Sequence, residues 1–303
     1  MPAPDNATRL AALARPSGAL AMLALDQRES LRAMLADRRG GGRVPDANLT
    51  SFKVAAARAL APSASAVLLD VAYGLRPVLE AGAIPRGVGL IVAADRLVQS
   101  PGGPVESTDV DEAVLADDAI AAIVDAYKLL VIWRPDVDGA RRRRTVEAFL
   151  AGCRSRGKPG IVEGIVRPPD GVTLTANQHV ELVVEAGLEL GAAADLYKAE
   201  VPTLARPDDA AVEAGARAVT EALPGPWVVL SNGTAPDRFD AAAVASARGG
   251  ASGFLAGRAI WQRSIAARDP AADMRDVAAP RLRALAERMD RVARPWHAAG
   301  TGR

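Results

Sequence analysis

Residues 194–201, ADLYKAEV, read as a short buried strand, preceded by small residues and closed by Pro202. Near the middle stands Lys198. A lysine in a buried strand is costly unless it is paired or used. Glu163, Asp195 and Glu200 are candidate ion-pair partners, and service as a nucleophile is the alternative. Segments of the same length recur on both sides: ALAMLALD (19–26), AVLLD (66–70), VGLIVAAD (88–95), YKLLVIW (127–133), GIVEGIV (160–166), WVVLSNG (227–233) and ASGFLAG (251–257). Amphipathic stretches separate them, among them DANLTSFKVAAARALA, TVEAFLAGCRSRG, ANQHVELVVEAGLEL and PDDAAVEAGARAVTEAL. Near-continuous apolar strands alternating with helices predict a parallel sheet covered by helices, because parallel strands need crossovers and are buried on both faces.

Eight such units in 303 residues predict an α/β protein built as one (β/α)8 TIM barrel. The chain reads as a single domain, with the barrel over about 17–262 and a C-terminal amphipathic helical segment over about 270–298 that closes the barrel or pairs subunits. A doubly wound open sheet is the alternative. It lacks support, since no GxGxxG follows the first strand and no Walker loop is present. Residues 38–46 and 100–109 read as loops.

With 50% hydrophobic and 24% charged residues and a net charge of +1, the composition fits a globular protein with a large core. It offers no basic surface for nucleic acid. Only 4% of residues are aromatic, so Ala, Val, Leu and Ile must build the interior. Cys153 is the sole cysteine, on a helix, so neither an intrachain disulfide nor a multi-cysteine zinc site exists. No apolar run is long enough to span a bilayer, and the first residues read as a short helix capped at Asn6 rather than an export signal. A cytoplasmic setting is expected. His179 and His297 lie in polar helical stretches and read as surface residues, and the run Arg141 to Arg144 reads as a solvated helix face or a subunit contact.

Barrel chemistry belongs at the C-terminal strand ends. There the chain places Asp26, Gln27 and Arg28 (strand 1), Asp70 (strand 2), Asp95 (strand 3), Lys128 (strand 4), Glu163 (strand 5), Lys198 (strand 6), Ser231, Asn232 and Gly233 (strand 7), and Gly257 and Arg258 (strand 8). Two lysines and a glutamate on successive strands can converge. An amine attacks a carbonyl only when neutral, and a second cation such as Lys128 lowers the proton affinity of Lys198. A carboxylate between them shuttles protons. Glycine amides and an arginine on strands 7 and 8 suit a phosphate.

Carried on AMLALDQRE, LIVAAD, KLLVIWRPD, VRPP, ADLYKAEVP, PWVVLSNG and GASGFLAGRAIW, the chain resembles the class I, Schiff-base-forming aldolases of the tagatose-bisphosphate aldolase family, nearest its sulfofructosephosphate aldolase branch. The resemblance spans about residues 17–285. It implies Lys198 as the Schiff-base lysine, Glu163 as acid/base and Lys128 as the strand-4 lysine. It also implies Asp26, Gln27, Arg28, Ser231, Gly233, Gly257 and Arg258 as substrate-binding residues. The implied reaction cleaves a ketohexose 1-phosphate to dihydroxyacetone phosphate and an aldehyde, with no cofactor and no metal, since an iminium supplies the electrophile. The aldehyde is 3-sulfolactaldehyde on the nearer branch, or glyceraldehyde 3-phosphate for a tagatose or fructose bisphosphate. Gln27, Arg28, Lys53, Arg76 and Arg134 are candidates to reach that far end. A homodimer or homotetramer is expected, and a non-catalytic sugar-phosphate-binding barrel is the reading of another class. Two residues depart from the branch: Gly164 stands for a proline and Asn232 for a serine.

Overall fold

A computed structural model describes residues 10–99, 104–203, 208–232 and 234–299. Its strands are β1 (Leu20–Leu25), β2 (Ala66–Leu69), β3 (Gly89–Ala93), β4 (Asp95–Gln99), β5 (Val105–Val110), β6 (Ala126–Trp133), β7 (Gly160–Val166), β8 (Leu196–Ala199), β9 (Trp227–Val229) and β10 (Gly253–Ala256). Eight of them close a parallel barrel in the order β1-β10-β9-β8-β7-β6-β3-β2. The TIM barrel expected from the apolar runs is therefore present, each run falling on its own barrel strand.

Period-two alternation sorts the strand residues between two cores. Leu20, Met22, Leu68, Ile91, Ile161, Leu196, Val228 and Leu255 point into the barrel, where Leu10, Leu13 and Trp296 join them as a floor. The alternate positions, such as Leu23, Val67, Leu129, Val162 and Tyr197, pack outward against the helices. One glycine makes the closure possible. Gly253 has φ +138, and a Cβ there would collide with the backbone of Leu20 on β1. Only glycine accepts both conditions.

Helices begin where sequence caps them. Thr175 and Gln178 form a capping box before Ala176–Leu190, and the Asp208 carboxylate accepts from Ala211 N before Asp209–Ala222. Cys153 is fully buried in this outer layer, and burial raises its thiol pKa.

Several expectations need correction. His179 is buried, because it lies on the same helix face as Val183, Ala186 and Leu190, and burial lowers its pKa. His297 is exposed, as expected. Of the loop expected over 100–109, residues 100–103 lie outside the described residues, and residues 105–109 are instead part of an antiparallel hairpin, β5 pairing with β4, standing over the barrel mouth. Its half-exposed arms carry no continuous apolar run, so they lack the sign by which the barrel strands were read. The C-terminal segment is not one long helix: a π-helical turn at Met274–Ala278 precedes Pro280, which has no N–H to donate, and the helix resumes over Ala279–Val292. That helix is tied to the barrel entrance by Arg15 bound to Asp290 at 2.7 Å. In the basic run, Arg142 is not solvated. It pairs with Glu189 at 3.0 Å and covers the ring of Trp133, while Arg141, Arg143 and Arg144 are exposed. Asn6 lies outside the described residues. Among the described residues, no helix is long and apolar enough to cross a membrane.

Candidate active site

Register brings the central residues together. Glu163 on β7 is the Cα partner of Lys198 on β8, so both side chains project into the barrel at one level. Lys198 Nζ lies 2.9 Å from Glu163 Oε1. Of the partners offered by sequence, Glu163 is thus the one used. Asp195 Oδ2 instead accepts from Gly160 N at 2.9 Å, and Glu200 turns to Val166 on β7 and to Asn232 beyond the end of β9.

Lys128 on β6, the Cα partner of Ile161, reaches Glu163 from the other side. Its Nζ lies 2.7 Å from Asp26 Oδ2, 2.9 Å from Asp95 Oδ2 and 2.8 Å from Glu163 Oε2. Asp95 also holds Arg28, whose other terminal nitrogen donates to the Asp95 carbonyl at 2.9 Å. Burial disfavours charge on Lys128, but the surrounding carboxylates outweigh it and raise its proton affinity well above the ordinary value. Burial likewise works against the Asp26 carboxylate, yet Lys128 and Lys198 overcome it and hold Asp26 below its usual range. The point where three carboxylates converge is filled by an ammonium. Among the described residues, no group of three His, Cys, Asp or Glu is placed to hold a metal ion.

Glu163 therefore touches two lysines, one per oxygen. Its Oε2 is close to Lys128 without an aligned hydrogen bond, which leaves that oxygen able to take a proton from a bound molecule.

These residues floor a cavity of about 390 Å³, a size suited to a small metabolite. Asp26, Gln27, Arg28, Lys128, Glu163, Lys198, Ser231, Gly257 and Arg258 all line it, as the strand-end reading anticipated. Gly233 lies outside the described residues. Gly257 allows close packing at the rim: a Cβ would stand 2.5 Å from the Ala24 carbonyl oxygen and 2.7 Å from Gln27 Nε2. One wall is apolar, formed by Ile132, Ile165 and Leu230 with Leu130 and Val105, and the hairpin adds Leu97 and Gln99.

Three far-end candidates are not there. Lys53 is fully buried outside the barrel wall, ion-paired with Asp70 and donating to the Leu25 carbonyl at 2.8 Å. It lies on the inner stripe of its helix with Leu49, Ala56 and Leu60, a spacing visible in the sequence. Arg76 is exposed and does not line the cavity, and Arg134 is bound to Asp136 and Asp170.

Two residues near the cavity are not among the candidate site residues, since the sequence offers Glu200 only as an ion-pair partner of Lys198. Arg167, directly after β7, lines the cavity. Glu200 is buried two positions beyond Lys198, its Oε1 accepting from Asn232 Nδ2 at 2.6 Å and its Oε2 from Val166 N at 2.9 Å. Asn232 Oδ1 in turn accepts from Arg258 at 2.8 Å. Burial pushes Glu200 up to about 7, although its two donors oppose the shift. Period two from Lys198 puts Glu200 on the inward side of its strand, which was the available signal.

Residues 20–263 match the DeoC/LacD family aldolase. The chain belongs to that family. The aldolase is 26% identical over 275 residues to tagatose 1,6-diphosphate aldolase 1 of Enterococcus faecalis, covering 82% of this chain and 81% of that protein. It is also 26% identical over 291 residues to tagatose 1,6-diphosphate aldolase 2 of Streptococcus mutans, covering 84% of each. Among solved structures, fructose-bisphosphate aldolase from Plasmodium falciparum superposes with a TM-score of 0.68 at 15% identity over 95% of both chains. An archaeal fructose-1,6-bisphosphate aldolase with its catalytic lysine bound to the carbinolamine intermediate gives a TM-score of 0.58 at 18% identity, covering 94% of this chain and 100% of that one. At these identities the superpositions establish the barrel fold alone.

Proposed function

We propose that this aldolase cleaves a ketohexose 1,6-bisphosphate, tagatose or fructose in type, through a Schiff base on Lys198. The observation that carries the reading is the Lys198–Glu163 pair, 2.9 Å apart and nearly dry, on the floor of a cavity at the C-terminal strand ends. Sequence reasoning leaned to the sulfosugar 6-deoxy-6-sulfofructose 1-phosphate. The relatives named above carry tagatose 1,6-diphosphate in their names, and that tips the reading to the bisphosphate.

Lys198 passes a proton to Glu163, and its neutral amine adds to the ketone at carbon 2. The carbinolamine takes a proton from Glu163 and loses water, leaving an iminium. Glu163 then accepts the proton of the carbon-4 hydroxyl, directly or through water. The carbon 3–carbon 4 electrons move into the iminium, and the aldehyde departs. The enamine is protonated at carbon 3, and water releases dihydroxyacetone phosphate and restores the amine. Lys128 stays charged, because three carboxylates hold its proton, so its part is electrostatic: it offsets the negative charge that Glu163 and Asp26 bring to the pocket. Ser231, Gly257 and Arg258 bind the carbon-1 phosphate.

The reading includes a cytoplasmic homodimer or homotetramer, which sedimentation tests. Its chemical content is tested by coupled assay of dihydroxyacetone phosphate release from tagatose and fructose 1,6-bisphosphate and from the sulfosugar. The bisphosphates are expected to give the highest kcat/KM, with activity lost in Lys198→Met; no release from any of the three would end the reading.

A further inference from the structure

The cations of the cavity fall into two groups. Arg28, Lys128 and Lys198 are each bound to a carboxylate. Arg167 and Arg258 line the same cavity, and no carboxylate pairs with either among the described residues. Arg258 follows β10 and Arg167 follows β7, while Lys198 stands on β8 between them in the barrel order. A ligand fixed at Lys198 therefore has an unpaired guanidinium on either side.

Arg167 is partly buried, and that burial lowers its proton affinity, with Glu200 and Glu106 only partly restoring it and Arg134 adding repulsion. A half-dry guanidinium without a counter-ion is costly to the empty protein and is relieved by an arriving anion. The neighbouring wall from Ile132 and Ile165 is apolar and offers no second charge, and of the two far-end candidates that do line the cavity, Arg28 is already held by Asp95 and Gln27 is uncharged. Arg258 is already assigned to carbon 1 in the proposed function.

We propose that Arg167 binds the tetrahedral oxyanion at carbon 6 of the substrate, phosphate or sulfonate, and so sets the preference for a ketohexose 1-phosphate that is anionic at both ends. The proposal rests on the aldolase reading above. A planar guanidinium gives such an oxyanion two parallel donors, which a point charge does not match. It also moves the specificity element away from Lys53, Arg76 and Arg134, the candidates that the fold takes out of the cavity.

The test compares fructose 1,6-bisphosphate, 6-deoxy-6-sulfofructose 1-phosphate and fructose 1-phosphate on the wild type, Arg167→Gln and Arg167→Lys. In Arg167→Gln, kcat/KM for the better of the two doubly anionic substrates falls about 10- to 100-fold, as loss of a charge-assisted bond predicts. The value for fructose 1-phosphate changes less than about twofold, and Arg167→Lys recovers part of the preference. Whichever doubly anionic substrate the wild type favours identifies the oxyanion. Borohydride trapping with dihydroxyacetone phosphate, which has no far end, is unchanged in Arg167→Gln. Equal losses on all substrates, or an unchanged preference, overturn the role of Arg167 while the aldolase stands. A wild type that cleaves none of them and traps no adduct removes the reading beneath it, and Arg167 falls with it.

Discussion

Gly164 stands where the next strand leaves no room for a side chain. A Cβ at this position would collide with Tyr197 Oη, and Tyr197 is buried on β8 against the helical layer. The departure from proline noted in the sequence is thus a packing exchange with Tyr197, on the outward side of the strand that carries Glu163 inward. Asn232, the other departure, spans from Glu200 to Arg258, a distance a serine hydroxyl would not bridge in the same way. Glu200 leads to a pH prediction. Its carboxyl is raised to about 7 from 4.5, so the folded protein retains a proton that the unfolded chain releases across that window. Stability contributed by this group falls as pH rises from 4.5 to 7, by up to roughly 1.4 kcal/mol per unit. Glu200→Gln removes that contribution. Urea unfolding of both proteins at about pH 5, 6, 7 and 8 is expected to give a difference that changes with pH up to 7 and is flat above; parallel profiles throughout would contradict the assignment.

Among the elements, the helix Asp46–Leu60 is fastened to β2 by a charge pair in a fully buried place. Lys53 and Asp70 hold each other there, and Asp70 also accepts from Tyr73 N at 2.8 Å. Burial lowers the proton affinity of Lys53, and Asp70 opposes that shift. Removing one partner leaves an uncompensated charge, so Asp70→Ala is expected to cost about 3–5 kcal/mol, whereas Lys53→Met with Asp70→Leu costs less than the single change. Chemical denaturation of the three proteins decides this, and a single variant within about 1 kcal/mol of wild type would contradict it. The pair also marks where sequence reading stops. Strands showed themselves through unbroken apolar runs, and the candidate site through polar residues ending those runs. Lys53, His179 and Arg142 carry polar names on helices, where the wet or dry side is fixed by 3.6-residue periodicity and by what packs opposite. The β4–β5 hairpin escaped for a related reason: its arms are half exposed, and Pro101-Gly-Gly-Pro104 reads as a loop whether or not strands flank it.

At the scale of the whole molecule, the barrel keeps stability and chemistry at opposite ends. The site lies at the C-terminal strand ends, and the floor is closed by Leu10, Leu13 and Trp296, drawn in from both ends of the described chain. Trp296 N donates to the Gly18 carbonyl at 3.1 Å, and Arg294 N to that of Ala251 at 3.2 Å, so the C-terminal segment is latched to the strand entrances. Trp296→Ala is expected to lose about 3–5 kcal/mol, with kcat near wild type at temperatures where the variant is folded. Thermal unfolding and steady-state kinetics on one preparation check both halves, and a kcat loss without a stability loss would contradict the separation. The eight strands and most of the polar side chains lining the cavity were readable because a barrel turns order along the chain into position around a ring. The anchoring of Glu200 and the partnering of Arg28 and Lys128 were not, since they depend on distances across the barrel. The central claim is that Lys198 is the nucleophile. Borohydride reduction with dihydroxyacetone phosphate in the presence of EDTA, followed by peptide mass spectrometry, tests it most directly: a reduced adduct on Lys198 is expected, and an adduct on another lysine or none at all would contradict it.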